Sequence, residues 1–309
     1  MSSFRVPLAA AVLALSSLFS AHGFAYCLTH TCDQKKEDCG EPVNGCNVGG
    51  KPLYWASSIV TWSIQKDGSA LDGISAETLR EVVENAFGRW EAADCGGGTH
   101  PRISLEGYPT GNPFIVCSKP EYNQDQPNAN VITFHDSTWP YAESGAETLA
   151  LTTVYFNPNT GEIYDANVEI NSNLQTFALS DAQYPTVDLN AVLTHELGHF
   201  LGLSHSSLMS STMYSNYDEG MTTLEADDVD AICASLPPDR ATVDSDLPRH
   251  GFSTDCGVPE KGCCSSTIGG PSPSGQRLGL WAFGLGLCAL LNRGRGRLKR
   301  SARRAALRR

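Results

Sequence analysis

One short stretch holds residues of the right types and spacing for hydrolytic chemistry. The run His195-Glu196-Leu197-Gly198-His199-Phe200-Leu201-Gly202-Leu203-Ser204-His205 sets two imidazoles four positions apart. On a helix they lie one turn apart and are rotated by only about 40°, so both can reach one metal ion from a rigid platform. Glu196 sits beside the first of them, where a carboxylate can take a proton from a metal-activated water. Gly202 permits the left-handed turn that ends the helix and lets the chain bring His205 round as a third ligand. Three neutral nitrogen ligands leave a tetrahedral zinc ion one open position, the catalytic rather than the structural arrangement. The blander reading is an amphipathic helix whose histidines happen to stack. It requires the glycine and the third histidine to fall at their offsets by chance.

The full pattern resembles that of the metzincin zinc endopeptidases, in which H-E-x-x-H-x-x-G-x-x-H is followed by a Met-turn. Met213, in Ser211-Thr212-Met213-Tyr214, stands eight residues after His205. By this resemblance it is the Met-turn residue, lying beneath the metal as a hydrophobic floor. Ser206, directly after the third histidine, makes the likeness closest to the matrixins, the matrix-metalloproteinase-like branch. The resemblance implies an α+β, metzincin-like zincin fold: a twisted, mostly parallel sheet, two long helices including the active-site helix, the Met-turn and a C-terminal helix. It also implies one catalytic Zn2+ on His195, His199 and His205, Glu196 as general base, and protein or peptide substrates. Tyr214 to Tyr217 would line the substrate pocket, with Tyr214 and Tyr217 as the named candidates. In that family an acidic residue of the final helix holds the Met-turn backbone or the mature N-terminus, and Asp227 and Asp228 match by position. Their alternative role is a favourable interaction of acids with a helix N-terminus. The likeness spans Lys51 to Leu236, with specific motifs only from Thr194 to Tyr214.

The elements that must position these residues follow from periodicity. Ser58-Ile59-Val60-Thr61-Trp62-Ser63-Ile64 is β-branched and aromatic and reads as a strand ended by Asp67-Gly68. Ser75 is placed to cap a helix in which Leu79, Val82, Val83, Ala86, Phe87 and Trp90 form one apolar face. A second strand is expected at Arg102 to Leu105, and others at Asn130 to Asp136, Leu149 to Phe156 and Glu162 to Asn171, the last two joined by a turn at 157–161. By strand order, the matrixin resemblance implies that Leu149 to Phe156 is the edge strand that substrate joins by β-augmentation. Asp188 is the expected N-cap of the active-site helix, and Thr222 with Glu225 offers a capping box for the final helix. Ala150 to Ile170 contains no histidine, so the second, structural zinc of animal matrixins is not expected. Asn157, Asn159 and Asp165 could bind calcium, but turn chemistry explains these residues better. His100 and His135 lack partners at ligand spacing and read as surface or hydrogen-bonded residues.

Length and composition bound the rest. The chain has 309 residues, 41 % of them hydrophobic, enough for one sizeable core with terminal extras. Its formal net charge is −12, yet the last 17 residues carry nine Lys or Arg and no acid, which leaves −21 on the remainder. An acidic body repels phosphate, so nucleic acid is not an expected partner. Residues 1–23 read as a signal peptide, with Arg5, an apolar run from Leu8 to Phe19, and a small-x-small site near 23–25. Export suits the eleven cysteines, which then read as disulfides.

A cysteine-rich segment (24–50) holds Cys27, Cys32, Cys39 and Cys46, expected as two local disulfides of open connectivity. A latent state with Cys32 or a neighbour capping the zinc is the less favoured reading. Cys95 and Cys117 flank the second strand and are expected to pair.

Residues 51–238 form the matrixin-like domain and 239–276 a linker. Beyond it, 277–309 is an apolar segment too short to span a bilayer, followed by an Arg-rich tail. With Gly262-Cys263-Cys264 before it, this end is similar to C-terminal sorting tags of the myxobacterial type. The expectation is thus a monomeric, exported bacterial zinc endopeptidase, secreted or at the cell surface, touching membrane only through its C-terminal segment. The alternatives are a catalytically silent surface binding protein and a zinc amidase acting on cell-wall peptides.

Overall fold

The computed structural model describes residues 25–34, 37–117, 120, 122–141, 147–179, 186–217, 221–243, 247–254 and 303–308. The expected signal peptide and most of the C-terminal segment lie outside them. Short strand β1 (Cys27–Leu28) precedes β2 (Ile59–Gln65), the axis of the main sheet. β2 pairs in parallel with β3 (Ser104–Gly107), β4 (Phe114–Ile115) and β5 (Val131–Phe134). β5 is parallel to β7 (Ile163–Ile170), and β7 is antiparallel to β6 (Ala150–Phe156). Two three-residue strands, β8 (Thr176–Ala178) and β9 (Thr186–Asp188), form a separate parallel pair ahead of the second helix. The sheet is therefore mostly parallel with an antiparallel margin, an α+β arrangement. β6 is expected at the edge and does lie outside β7, but a further strand, β11 (Arg303–Arg308), pairs along its outer side.

Helix α1 (Ala76–Glu91) starts where Ser75 accepts a hydrogen bond from Thr78 N, and it buries the apolar face read from the sequence. Helix α2 (Leu189–Phe200) is capped by Asp188, which accepts from Asn190 N at 2.8 Å. Eleven of its twelve residues are buried, because it runs between the sheet and α1. Trp90 Nε1 donates to Thr194 O at 2.9 Å and Trp55 Nε1 to Phe200 O at 2.9 Å. Two indoles thus satisfy backbone carbonyls that a helix buried on all sides could not offer to water.

Helix α3 (Ala226–Ser235) begins at Glu225, whose capping box is closed by Asp228. The cap lies three residues beyond the expected Thr222, where Glu225 and Asp228 close the box between them.

The cysteines refine the sequence reading. Cys27–Cys46 and Cys32–Cys39 are the two local disulfides, so the sulfur of Cys32 is not a thiolate able to cap a metal. Cys95 pairs with Cys233 rather than with Cys117, across 138 residues. Nearness in sequence favours Cys117, but the loop after α1 meets α3, bringing the Cα atoms of Cys95 and Cys233 to 5.4 Å. Cys117 is itself disulfide-bonded and sits in a small cluster with Ile115, Ala129 and Val131.

Past Pro238 the described residues 239–243 and 247–254 stay on the domain. Arg240 donates to the carbonyls of Trp55, Ser57 and Arg102, an anchoring that a composition rich in Pro, Ser and Gly conceals. Among the described residues no helix is long and apolar enough to cross a membrane.

Candidate active site

α2 supplies His195, Glu196 and His199, all fully buried. The helix ends at Gly202, with φ +95°, where a Cβ would stand 2.9 Å from Leu53 O. Backbone sign and the lack of space both demand glycine there. The chain then forms the two-residue strand β10 (Leu203–Ser204), paired antiparallel with β1, and His205 follows. Thr29 braces the turn from outside, its N–H on Gly202 O and its hydroxyl on Leu203 O, each at 2.9 Å.

The three histidines converge. One ring nitrogen from each lies within 4.8 Å of the others, and His199 Nε2 is 3.2 Å from His205 Nε2. His195 Nδ1 faces Thr212 O at 2.7 Å, and His199 Nδ1 faces Leu203 O at 2.9 Å. A ring nitrogen beside a carbonyl must carry the proton, so Nε2 of each of these two rings keeps its lone pair directed at the common centre. Tetrahedral zinc with Zn–N near 2.0–2.1 Å separates its ligand nitrogens by about 3.3 Å. The donor set therefore fits zinc in element and count, and the His199–His205 pair at 3.2 Å matches its spacing. Among the described residues this is the group of His, Cys, Asp or Glu that could hold a metal.

Glu196 is oriented by a strand rather than by its own helix. The Thr152 hydroxyl on β6 stands 2.5 Å from Glu196 Oε2 and 3.1 Å from Glu196 O. Nothing in the sequence singles out Thr152 among the threonines of that strand. Met213 is 1 % exposed, and its carbonyl accepts from Ser206 N, directly after the third histidine, at 2.8 Å.

The two acids at the start of α3 divide their work. Asp228 accepts from Ser211 Oγ, Thr212 N and Met213 N at 2.5–3.1 Å, and from Glu225 N at 2.9 Å. One carboxylate thus ties the Met213 loop to α3, and that loop holds His195 through Thr212 O. Asp227 accepts from Ala25 N and Tyr26 N, each at 3.0 Å, and from Ser206 Oγ at 2.6 Å. It fastens the start of the described chain beside the third histidine.

The other sequence candidates scatter. Tyr214 is half-buried beside Met213, whereas the Tyr217 hydroxyl accepts from Asp188 N at 3.0 Å and so supports the start of α2. His135 bonds Glu169 at 2.8 Å and His100 bonds Ala93 O at 3.0 Å. Asn157 accepts from Asn159 N within its turn. Asp165 is fully buried and bonded to Asn167 Nδ2.

Comparison with known proteins finds a family match over the stretch that carries the site. Residues 131–235 match the family described as Matrixin. The chain is 29 % identical over 162 residues to Metalloendoproteinase 2-MMP of Arabidopsis thaliana, covering 50 % of this chain and 36 % of that protein. It is 35 % identical over 101 residues to Matrix metalloproteinase-26 of Homo sapiens, covering 32 % of this chain and 35 % of that protein. The matches span about a third of the length of these relatives. They support a matrix-metalloproteinase-like catalytic domain.

Proposed function

We propose that this protein is an exported endopeptidase, secreted or held at the cell surface, that hydrolyses peptide bonds at a zinc centre held by His195, His199 and His205. The observation that supports this best is the convergence of three imidazole nitrogens beside a buried glutamate whose carboxylate is fixed from a neighbouring strand. Zinc, when bound, supplies Lewis acidity and lowers the pKa of a coordinated water. The protein's own groups do the rest. Carbonyls of Thr212 and Leu203 hold the two helical imidazoles in the ligating tautomer. Glu196 accepts the proton of the attacking water and returns it to the leaving amine. Thr152 keeps the Glu196 carboxylate from rotating away, and Met213 serves as the Met-turn floor on which α2 rests. In this reading Tyr214 borders the substrate, while Tyr217 acts on α2 through Asp188. The disulfides Cys27–Cys46, Cys32–Cys39 and Cys95–Cys233 suit an oxidising compartment.

The test is zinc content and casein cleavage of the exported protein beside its Glu196→Ala variant. Zinc bound stoichiometrically by both, with cleavage by the parent alone, is the expected result. Zinc without cleavage in the parent would favour a silent binding protein, and cleavage of cell-wall peptides in place of casein an amidase. Failure to retain zinc at neutral pH would overturn the centre itself.

A further inference from the structure

β6 touches the candidate centre through Thr152, and its outer side is already taken. β11 runs antiparallel along it in continuous register, from Arg303 opposite Phe156 to Arg308 opposite Leu151. Leu307 lies opposite Thr152, the residue whose hydroxyl touches the Glu196 carboxylate. Neighbouring strands are about 4.8 Å apart, so the backbone of the tail passes one strand spacing from the residue that positions the base. The opposite side of β6 is bonded to β7. An extended peptide that adds a strand beside the centre has only this outer side to use, since β-augmentation needs an open row of N–H and C=O groups.

We infer that the C-terminal strand Arg303–Arg308 is a built-in competitor that covers the peptide-docking edge of β6 and holds the protein in a closed state. The inference rests on the endopeptidase reading and adds its regulation. Charge favours the occupant: the last 17 residues carry nine Lys or Arg and no acid, against −21 on the remainder. Being part of the same chain, the strand competes as an intramolecular ligand, at an effective concentration that a dilute substrate does not match. Removal or displacement of the tail then opens the edge.

The experiment uses the full chain and the variant Ala305→Pro/Ala306→Pro. Amides of successive residues in an antiparallel strand face alternate sides, so one of the two prolines must delete a bond to β6. The probe is a fluorescent hexapeptide of sequence Arg-Arg-Ala-Ala-Leu-Arg, titrated at low salt. The variant is expected to bind it about tenfold more tightly than the wild type, the change that one or two lost backbone hydrogen bonds in the tail would give. Casein cleavage at limiting substrate should rise by a similar factor. Equal probe affinities would overturn the inference.

Amide exchange on the wild type alone provides a check independent of any variant. Successive amides of Leu151–Tyr155 should all be protected, whereas rapid exchange at every second one would overturn the closed edge. Absence of cleavage in both proteins would count against the endopeptidase reading, and the covered edge would then stand or fall on probe affinity and exchange.

Discussion

Gly198 lies directly against Met213. A Cβ on Gly198 would stand 2.3 Å from Met213 Sδ, 3.0 Å from Met213 Cε and 3.0 Å from Trp90 Cζ2. α2 carries two of the three converging histidines, so this contact sets how closely that helix approaches the Met213 loop. A glycine inside a helix ordinarily costs roughly 0.5–1 kcal/mol relative to alanine. Here only a hydrogen fits.

The contact predicts a reversal of that preference. Gly198→Ala should destabilise the fold by about 1–3 kcal/mol, the usual range for overpacking a filled core, and should weaken zinc binding. The double variant Gly198→Ala/Met213→Ala should recover part of the loss. Thermal unfolding and zinc titration of the three proteins check this. A Gly198→Ala variant at least as stable as the parent would show that the contact yields freely.

Thr152 gives a second prediction. Thr152→Val keeps the volume and removes the hydroxyl that faces the Glu196 carboxylate. Because Thr152 acts through Glu196 rather than through the three imidazoles, zinc content should be unchanged. Turnover should fall by about tenfold, a fraction of the 10²–10⁴ that a positioned general base contributes, with kcat rather than KM carrying the loss. Thr152→Ser should restore most of it. Equal losses in both variants would indicate that packing, not the hydroxyl, is what matters.

How far these relationships could be read beforehand depends on whether they are local. The histidine run, the Ser75 and Asp188 caps and the apolar face of α1 are set by neighbours only a few residues apart, and their pattern shows in the chain. Asp227 and Asp228 were legible by position but not in their division of labour, which depends on Ala25 and Thr212 reaching α3 from distant parts of the chain. The Cys95–Cys233 bridge, the Arg240 anchor and the Thr152 hydroxyl link residues 44 to 185 positions apart. Such pairs leave no periodic trace, and nearness in sequence misdirects, as it does for Cys117.

Metal retention should depend on pH in one direction. His195, His199 and His205 ligate only with Nε2 unprotonated, so acid competes with zinc for the same lone pairs. Bound zinc should be stoichiometric at neutral pH and lost below about pH 5 to 6, and chelation at neutral pH should lower the unfolding temperature. Equilibrium dialysis followed by metal analysis at about pH 4.5 and 7 is the measurement. Full occupancy at the acid end would argue against a centre made of these imidazoles.

Asp165 supplies the last prediction, one independent of the metal. Its carboxyl is fully buried on β7, opposite Tyr155 of β6, and Tyr155 is in turn stacked on Tyr122 at 4.9 Å. Burial pushes its pKa from 3.8 up to about 8, and the hydrogen bond from Asn167 offsets only part of that. Oδ2 of Asp165 and Oγ1 of Thr153 have no hydrogen-bond partner. The folded state therefore holds a proton that the unfolded chain releases near pH 4. Stability from this proton is complete below about pH 4, declines as pH rises to about 8, and changes no further above that. Asp165→Asn keeps the acceptor for Asn167 and cannot ionise. Relative to the parent it should be near neutral at about pH 4 and gain several kcal/mol by about pH 8, given about 1.4 kcal/mol per pKa unit. Denaturant unfolding of both proteins across that range is the measurement, and a difference that stays constant with pH would show that the carboxyl is not held protonated in the fold.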